Sequence, residues 1–300
     1  MIFHVIFPKA LSSPLFHGQP TRLIPGDSVA ILRLDDLVIA YEMEGQGIPL
    51  VFIHQVATDQ RIWHHQQAFF GPRYRVITVD ILGHGRIEWP SSELSIKQAA
   101  HRVQQLLDQQ GTGPAFVIGV SMGAAVAMRM ALDAPTLVRG LGLISPWNHA
   151  SGDLQSLINR LFRLAEARDT VAHAELFLRY VSPATDAIEH APEWERLRAI
   201  ILEQNAWAVA YTWVACLACD LRGELSQIKA PSLVIAGLKD LFTPPYLARV
   251  VAEGLAEVEL EIWEETGHFP FLEDPERFNR RLEVFIQSCL ARAGTAPRPT

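Results

Sequence analysis

The stretch 115–125, reading Ala-Phe-Val-Ile-Gly-Val-Ser-Met-Gly-Ala-Ala, constrains the fold of this 300-residue chain more than any other. Residues 115–118 form the short continuous apolar run that is typical of a strand buried on both faces. Residues 124–132 have the small side chains of a helix that packs closely against such a strand. Between them, the Gly-x-Ser-x-Gly pattern predicts a strained strand-to-helix turn that presents the hydroxyl of Ser121 at the sheet edge, as a candidate nucleophile.

Apolar runs and helical periodicity alternate over most of the remaining chain. The first two strands flank Asp35-Asp36 and predict an antiparallel hairpin at a sheet edge. Strands are predicted at 29–34, 37–44, 49–54, 74–80, 115–120, 141–144, 232–236 and 258–263, and helices at 95–109, 121–134, 245–254 and 275–291. Alternation of this kind predicts an α/β fold, with an eight-stranded, mostly parallel sheet covered by helices on both faces.

One segment breaks the alternation and divides the chain. Residues 147–226 have only helical patterns, which predicts a helical cap inserted into a core made of 29–146 and 227–292. Prolines interrupt residues 1–28, so we expect an irregular N-terminal extension rather than a signal peptide or a membrane span. The Pro- and Gly-containing tail 293–300 is expected to be disordered.

Composition excludes several classes of function. The formal net charge of −7 leaves no basic surface for nucleic acid or an anionic membrane, and 49% hydrophobic residues support a large core. Three cysteines are too few for a disulfide framework, which favours a reducing compartment and hence the cytoplasm. A small molecule is the expected partner, and the oligomeric state cannot be read from the sequence.

A nucleophilic serine needs a base and an acid that orients the base, and both follow predicted strands. Asp240 lies in the loop after the seventh strand, and His268 lies in the loop after the eighth. Because the carboxyl ends of parallel strands share one sheet edge, we expect both side chains near Ser121. The chain order Ser, Asp, His is the order found in α/β-hydrolases.

Other chemistry-bearing patterns do not lead to a site. Cys216-x-x-Cys219 has no further zinc ligands nearby in sequence, so we interpret the pair as small apolar residues of a cap helix. The chain contains no Gly-rich phosphate loop and no dinucleotide fingerprint. The sequence therefore predicts no metal and no cofactor.

Taken together, these motifs resemble the α/β-hydrolase superfamily from about residue 29 to residue 291. Asp80-Ile81-Leu82-Gly83-His84-Gly85 is similar to the family's Asp-x-x-Gly-His-Gly turn. The cap and the approach to the seventh strand resemble 3-oxoadipate enol-lactonases and aminoacrylate-hydrolase-like members. The resemblance implies a Ser121, Asp240, His268 catalytic triad.

The chain departs from the family after the third strand, where His54-Gln55-Val56 stands in place of the usual His-Gly. By position, the backbone N–H groups of Val56 and Met122 would form the oxyanion hole. Gln55 could add a side-chain donor or restrict the turn. His54 and His84 are expected to be structural. Gln55, Trp147, Trp207 and Tyr211 are the candidate substrate-binding residues.

These observations predict a serine esterase or lactonase that acts through an acyl-enzyme. A hydrolase of carbon–nitrogen or carbon–carbon bonds, or a small-molecule receptor with little turnover, stays open as an alternative. If an arginine of the cap faced inward, it could bind the carboxylate of an enol-lactone acid. The candidates are Arg160, Arg163, Arg168 and Arg179.

Overall fold

The computed structural model describes residues 22–23, 29–34, 37–87, 94–181 and 192–295. Its centre is a nine-stranded sheet with the order β1-β2-β3-β5-β4-β6-β7-β8-β9. The strands are β1 Arg22–Leu23, β2 Ala30–Leu34, β3 Leu37–Glu44, β4 Pro49–Ile53, β5 Arg75–Asp80, β6 Ala115–Val120, β7 Val138–Ile144, β8 Ser232–Gly237 and β9 Val258–Trp263.

In sheet order, the neighbours β1, β2, β3 and β5 pair in antiparallel fashion. The neighbours β5, β4, β6, β7, β8 and β9 pair in parallel fashion. All residues of β4, β6 and β8 are buried, as their unbroken apolar runs require. The eight predicted strands and the α/β fold class are confirmed. The carboxyl ends of β4, β6, β7, β8 and β9 therefore meet at one edge, which we call the site edge.

Helices cover both faces of the sheet. They are α1 His64–Phe70, α2 Ile96–Gln109, α3 Met122–Asp133, α4 Gly152–Glu166, α5 Thr170–Val181, α6 Pro192–Glu203, α7 Ala206–Ala218, α8 Pro245–Gly254, α9 Pro270–Glu273 and α10 Pro275–Thr295. The four predicted helices are present as α2, α3, α8 and α10. Among the described residues, no helix is both long and apolar enough to cross a membrane.

Two predictions about the ends of the chain were wrong in part. Arg22 and Leu23 pair with β2, so the first segment is not wholly irregular. A two-residue strand joins a sheet edge through its backbone and leaves no periodicity to detect. Helix α10 continues to Thr295, into the tail that was expected to be disordered. The rest of 1–28, the Asp35-Asp36 turn and residues 296–300 lie outside the described residues.

Residues 147–226, here called the helical segment, contain α4 to α7. His149 and Asp220 form an isolated β-bridge, so the two ends of the segment meet. Inside it, Trp213 donates a hydrogen bond from Nε1 to Nε2 of His173 over 3.0 Å, and its ring packs 6.0 Å from that of Phe177. These buried aromatic residues hold α5 and α7 together.

Candidate active site

The backbone at Ser121 is strained in the way that the sequence pattern predicts. Ser121 has φ 52° and ψ −112°, directly after β6 and before α3. Its N–H donates to the carbonyl oxygen of Ile144 over 2.8 Å. A Cβ on Gly119 would lie 2.1 Å from the carbonyl oxygen of Gly123, and one on Gly123 would lie 2.2 Å from that of Ile53. Both glycines are therefore required by close backbone approach.

Asp240 and His268 form a fully buried pair at the site edge. Nδ1 of His268 lies 2.7 Å from Oδ2 of Asp240, and both side chains are 0% exposed. Oδ1 of Asp240 accepts from the N–H groups of Phe242 and Thr243, each over 2.9 Å. The two backbone N–H groups thus hold Oδ1, and Oδ2 accepts a hydrogen bond from Nδ1 of the imidazole when that nitrogen carries the proton. This arrangement leaves Nε2 of His268 as the nitrogen available for chemistry.

Two residues that the sequence analysis missed fix these loops. The hydroxyl of Thr243 donates to Oδ2 of Asp240 over 2.8 Å. The carboxylate of Glu273 accepts from the N–H groups of Gly267 and Phe269, the residues on either side of His268, over 2.7 and 2.9 Å. Burial raises the pKa of Glu273 to about 7. The only sequence signal for this contact is an acidic residue, Glu273, in the short helix α9 that follows His268.

The helical segment is bonded directly to the loops of the acid and the base. The N–H of His268 donates to the carbonyl oxygen of Val181 over 3.0 Å, and the N–H of Leu241 donates to that of Tyr180 over 3.1 Å. The carboxyl end of α5 therefore lies against both loops. Any displacement of α5 would alter the position of the imidazole.

The two candidate oxyanion donors lie on different elements, Val56 on the loop after β4 and Met122 at the start of α3. Val56 and Met122 are buried, and their N–H groups donate no hydrogen bond to another residue in the described part of the chain. The next N–H, that of Ala57, donates to Nε2 of His84 over 3.0 Å, with Ala57 at φ 61°. His84 thus holds the loop in a conformation that is costly for a residue other than glycine.

His54 and His84 are structural, as expected. Nε2 of His54 accepts from the N–H of Ile81 over 3.0 Å, and its Nδ1 lies 2.7 Å from the carbonyl oxygen of Gln55. Burial lowers the pKa of His54 to about 4 and that of His84 to about 3. Both rings are therefore neutral at pH 7, with Nδ1 protonated. They link the loop after β5, which follows Asp80, to the loop after β4, which contains Val56.

Gln55 lies against the base. Its Oε1 is 3.1 Å from Nε2 of His268, the residue is 1% exposed, and its Nε2 has no partner among the described residues. An amide oxygen only accepts, so this contact needs a proton on Nε2 of the imidazole. With the amide turned by 180°, its NH₂ group donates to the unprotonated nitrogen instead. Either way, Gln55 occupies the nitrogen that a general base would use.

Ser121 is not hydrogen-bonded to His268 in this arrangement. Its hydroxyl makes no hydrogen bond to any residue that the structure describes, although the residue is only 3% exposed. The three predicted triad residues lie at one sheet edge, and two of them are in contact. A hydrogen bond from the Ser121 hydroxyl to Nε2 of His268 would require the Gln55 amide to move away from the imidazole.

The side chains around the base are aromatic, but they are not those that the sequence analysis proposed. The rings of Phe242 and Phe269 lie edge-on to His268 at 5.3 and 5.0 Å. Phe177 of α5 packs 5.3 Å from Phe242. Trp147 is buried just after β7, so it stays a candidate.

Trp207 and Tyr211 were predicted to line the pocket, and the structure contradicts this for Trp207. Its side chain is 37% exposed and packs under the guanidinium of the exposed Arg168, 5.2 Å away. The ring of the half-buried Tyr211 lies 6.2 Å from that of Trp207. Helix α7 instead buries the face that carries Trp213. The sequence could not choose between these faces, because α7 is apolar nearly all round.

The four arginines considered for a substrate carboxylate are all exposed: Arg160, Arg163, Arg168 and Arg179. None of them lies in the buried site, so these residues give no support to a carboxylate-bearing substrate.

Cys216 and Cys219 are both free thiols, and burial raises the pKa of each. Cys216 is buried within α7, as interpreted from the sequence, whereas the partly buried Cys219 lies just after the end of that helix.

Comparisons with known proteins agree with the fold. Residues 50–281 match the family model described as "Alpha/beta hydrolase family". A putative carbamate hydrolase of Azorhizobium caulinodans is 28% identical over 83% of this chain and 95% of its own. The 3-oxoadipate enol-lactonase 2 of Acinetobacter baylyi is 27% identical over 91% and 98%.

Among solved structures, a hydrolase of Pseudomonas aeruginosa superposes with a TM-score of 0.80 at 26% identity, covering 87% of this chain and 99% of that protein. The match to the family model, residues 50–281, spans the strands that form the site edge as well as the helical segment. The family model covers well over half of the sequence. This chain therefore belongs to the alpha/beta hydrolase family.

Proposed function

We propose that this protein is a serine hydrolase that cleaves a small ester or lactone through an acyl-enzyme. The observation that carries the proposal is the buried Asp240–His268 pair, placed at the same sheet edge as the strained Ser121 turn. Similarity to an enol-lactonase supports it. Similarity to a putative carbamate hydrolase supports a carbon–nitrogen bond as the second candidate.

In the proposed reaction, Nε2 of His268 takes the proton of Ser121 while the serine oxygen bonds to the substrate carbonyl carbon. The carbonyl oxygen becomes an oxyanion, which the N–H groups of Val56 and Met122 stabilise. The tetrahedral species then expels the leaving oxygen, which takes the proton from His268. Water, activated by the same imidazole, attacks the acyl-enzyme and releases the acid together with Ser121.

We further infer that the helical segment caps the site and limits substrate size. The bonds from Val181 and Tyr180 to the base and acid loops, and the contact of Phe177 with Phe242, support this. The buried aromatic surroundings of His268 suit a small, apolar acyl group.

The three free cysteines support a reducing compartment such as the cytoplasm.

An active-site-directed fluorophosphonate tests the proposed function. Attack by the serine oxygen on phosphorus expels fluoride, so we expect one phosphonyl group per chain, mapped by mass spectrometry to Ser121. Ser145 is an internal control, because it also follows a parallel strand at positive φ, 47°. Its hydroxyl instead donates to the carbonyl oxygen of His268 over 3.0 Å. Labelling at Ser145 instead of Ser121 would contradict the proposal, as would turnover of a p-nitrophenyl ester that survives complete labelling of Ser121.

The contact between Gln55 and the base predicts a pH effect. In the Gln55→Glu variant, a carboxylate would face Nε2 of His268 and stabilise the imidazolium, which raises the pKa of the base. Catalysis needs the neutral imidazole, so the acid limb of kcat/KM against pH should move upward, by about one to three units for an opposite charge at this distance.

The matched control is Gln55→Met, which keeps the length of the side chain without a charge. We expect its acid limb to stay within about half a unit of the parent, because no charge is added. Ester hydrolysis measured from pH 5 to pH 9 gives both limbs. An active Gln55→Glu enzyme with an unshifted acid limb would show that this side chain does not face the base.

A further inference from the structure

A second cluster of chemistry-bearing side chains lies away from the catalytic loops, where α1 meets α6. His64 and His65 begin α1, and Glu193 lies in the first turn of α6. Oε1 of Glu193 is 3.5 Å from Nε2 of His64 and 3.3 Å from Nε2 of His65. The imidazole rings are 4.0 Å apart between centroids, and all three side chains are half-buried.

The hydrogen bonding of His64 favours the neutral tautomer that carries its proton on Nδ1, in which Nε2 has a free lone pair. Nδ1 of His64 lies 3.3 Å from the carbonyl oxygen of Arg61, which can only accept, so Nδ1 carries the proton. The lone pair of Nε2 then faces a carboxylate oxygen. Two acceptors in this position repel each other unless a cation lies between them.

The spacing of the three atoms fits a metal ion. Zinc binds imidazole nitrogen at about 2.0–2.1 Å and carboxylate oxygen at about 2.0–2.2 Å, so the edge of a tetrahedral site is about 3.3–3.5 Å. The two nitrogen-to-oxygen distances, 3.5 and 3.3 Å, have this length. They exceed the roughly 2.7–2.9 Å of a charge-assisted hydrogen bond. All three atoms lie within 4.8 Å of one another.

We propose that His64, His65 and Glu193 bind a divalent transition-metal ion, with zinc as the preferred metal and water completing the coordination. The Nδ1 contact of His64 with Arg61 orients the ring, as outer partners of metal-bound histidines do. In the described part of the chain, this is the one cluster of its kind. The proposed ester chemistry does not use it.

Such an ion would join the helical segment to the core. Glu193 belongs to α6, whereas His64 and His65 belong to α1, which packs beside the sheet. Trp194, next to Glu193, packs edge-on to Phe269 at 6.0 Å, and Phe269 contacts His268. The bound metal would therefore hold α6 in place beside the residues that surround the base, and it should raise the thermal stability of the protein.

The test is a zinc titration of the full chain after treatment with a chelator, with affinity measured by competition against a chromophoric chelator. We expect one equivalent to bind with a micromolar or lower Kd and to raise Tm. His65→Ala and Glu193→Gln should each weaken binding at least about tenfold and abolish the zinc-dependent rise in Tm. Both positions are partly exposed, and circular dichroism without zinc checks that each variant folds.

Two control variants separate this site from other metal-binding groups. His101→Ala removes an exposed histidine of α2, and Cys219→Ser removes a partly exposed thiol. Both should keep the parent's affinity and stoichiometry. Failure of the parent to bind zinc at 100 micromolar (about the upper limit of a specific site) would overturn the proposal. Equal affinity in the parent, His65→Ala and Glu193→Gln would also overturn it, as would loss of binding in Cys219→Ser.

Discussion

The Ser121→Ala variant should lose at least about a thousandfold in kcat/KM toward any ester that the parent hydrolyses, because it removes the atom that forms the acyl-enzyme. The oxyanion donors at Val56 and Met122 would persist, so a small residual rate above that of water is expected. The measurement is hydrolysis of a p-nitrophenyl ester at saturating and subsaturating concentrations.

Ser156→Ala is the matched control, since Ser156 is exposed on α4 and its hydroxyl donates to the carbonyl oxygen of Gly152. Its activity should stay within about twofold of the parent, as for most surface substitutions away from a site. Alanine at position 121 must adopt φ 52° as serine does, so we expect little change in Tm. Activity of Ser121→Ala above about a thousandth of the parent would exclude Ser121 as the nucleophile.

The Asp240→Asn variant should lower kcat by about 10⁴, the scale known for loss of the orienting carboxylate in a serine protease triad. An amide at position 240 would donate to Nδ1 of His268 and force the proton onto Nε2. In that tautomer Nε2–H would donate to Oε1 of Gln55, which lies 3.1 Å away. The contact with Gln55 would thus stabilise the inactive form of the base.

The control for this substitution is Asp220→Asn, because Asp220 is exposed, forms a salt bridge with Arg222 and lies in the β-bridge to His149. We expect less than a twofold change in kcat, as is usual for an exposed surface pair. If Asp240→Asn kept more than about a tenth of the parent's kcat while remaining folded, Asp240 would not be the orienting acid.

The sequence alone determined the fold class and the positions of the three proposed catalytic residues. Strands buried on both faces require unbroken apolar runs, and the sequence shows such runs at β4, β6 and β8. Positions 119 and 123 require glycine, because an added Cβ would lie 2.1 and 2.2 Å from backbone carbonyl oxygens. Because parallel strands share one carboxyl edge, chain order also located Asp240 and His268 near Ser121.

The orientation of apolar helices was decided only by the tertiary structure. Helix α7 is apolar nearly all round, so its sequence could not show that Trp213 faces inward while Trp207 lies at the surface. The same holds for the four arginines of the helical segment, which all proved to be exposed. Their periodicity placed them on helices without fixing what each face would contact.

Contacts between residues far apart in sequence were also decided by the fold. Gln55 was recognised as a departure from the family pattern, but only the packing of two loops brings its amide to His268. Glu273 bonds the loop of the base, and Glu193 reaches His64 and His65 across the junction of α1 and α6. A sequence records spacing along the chain, whereas polar clusters of this kind arise where separate elements meet in the folded protein.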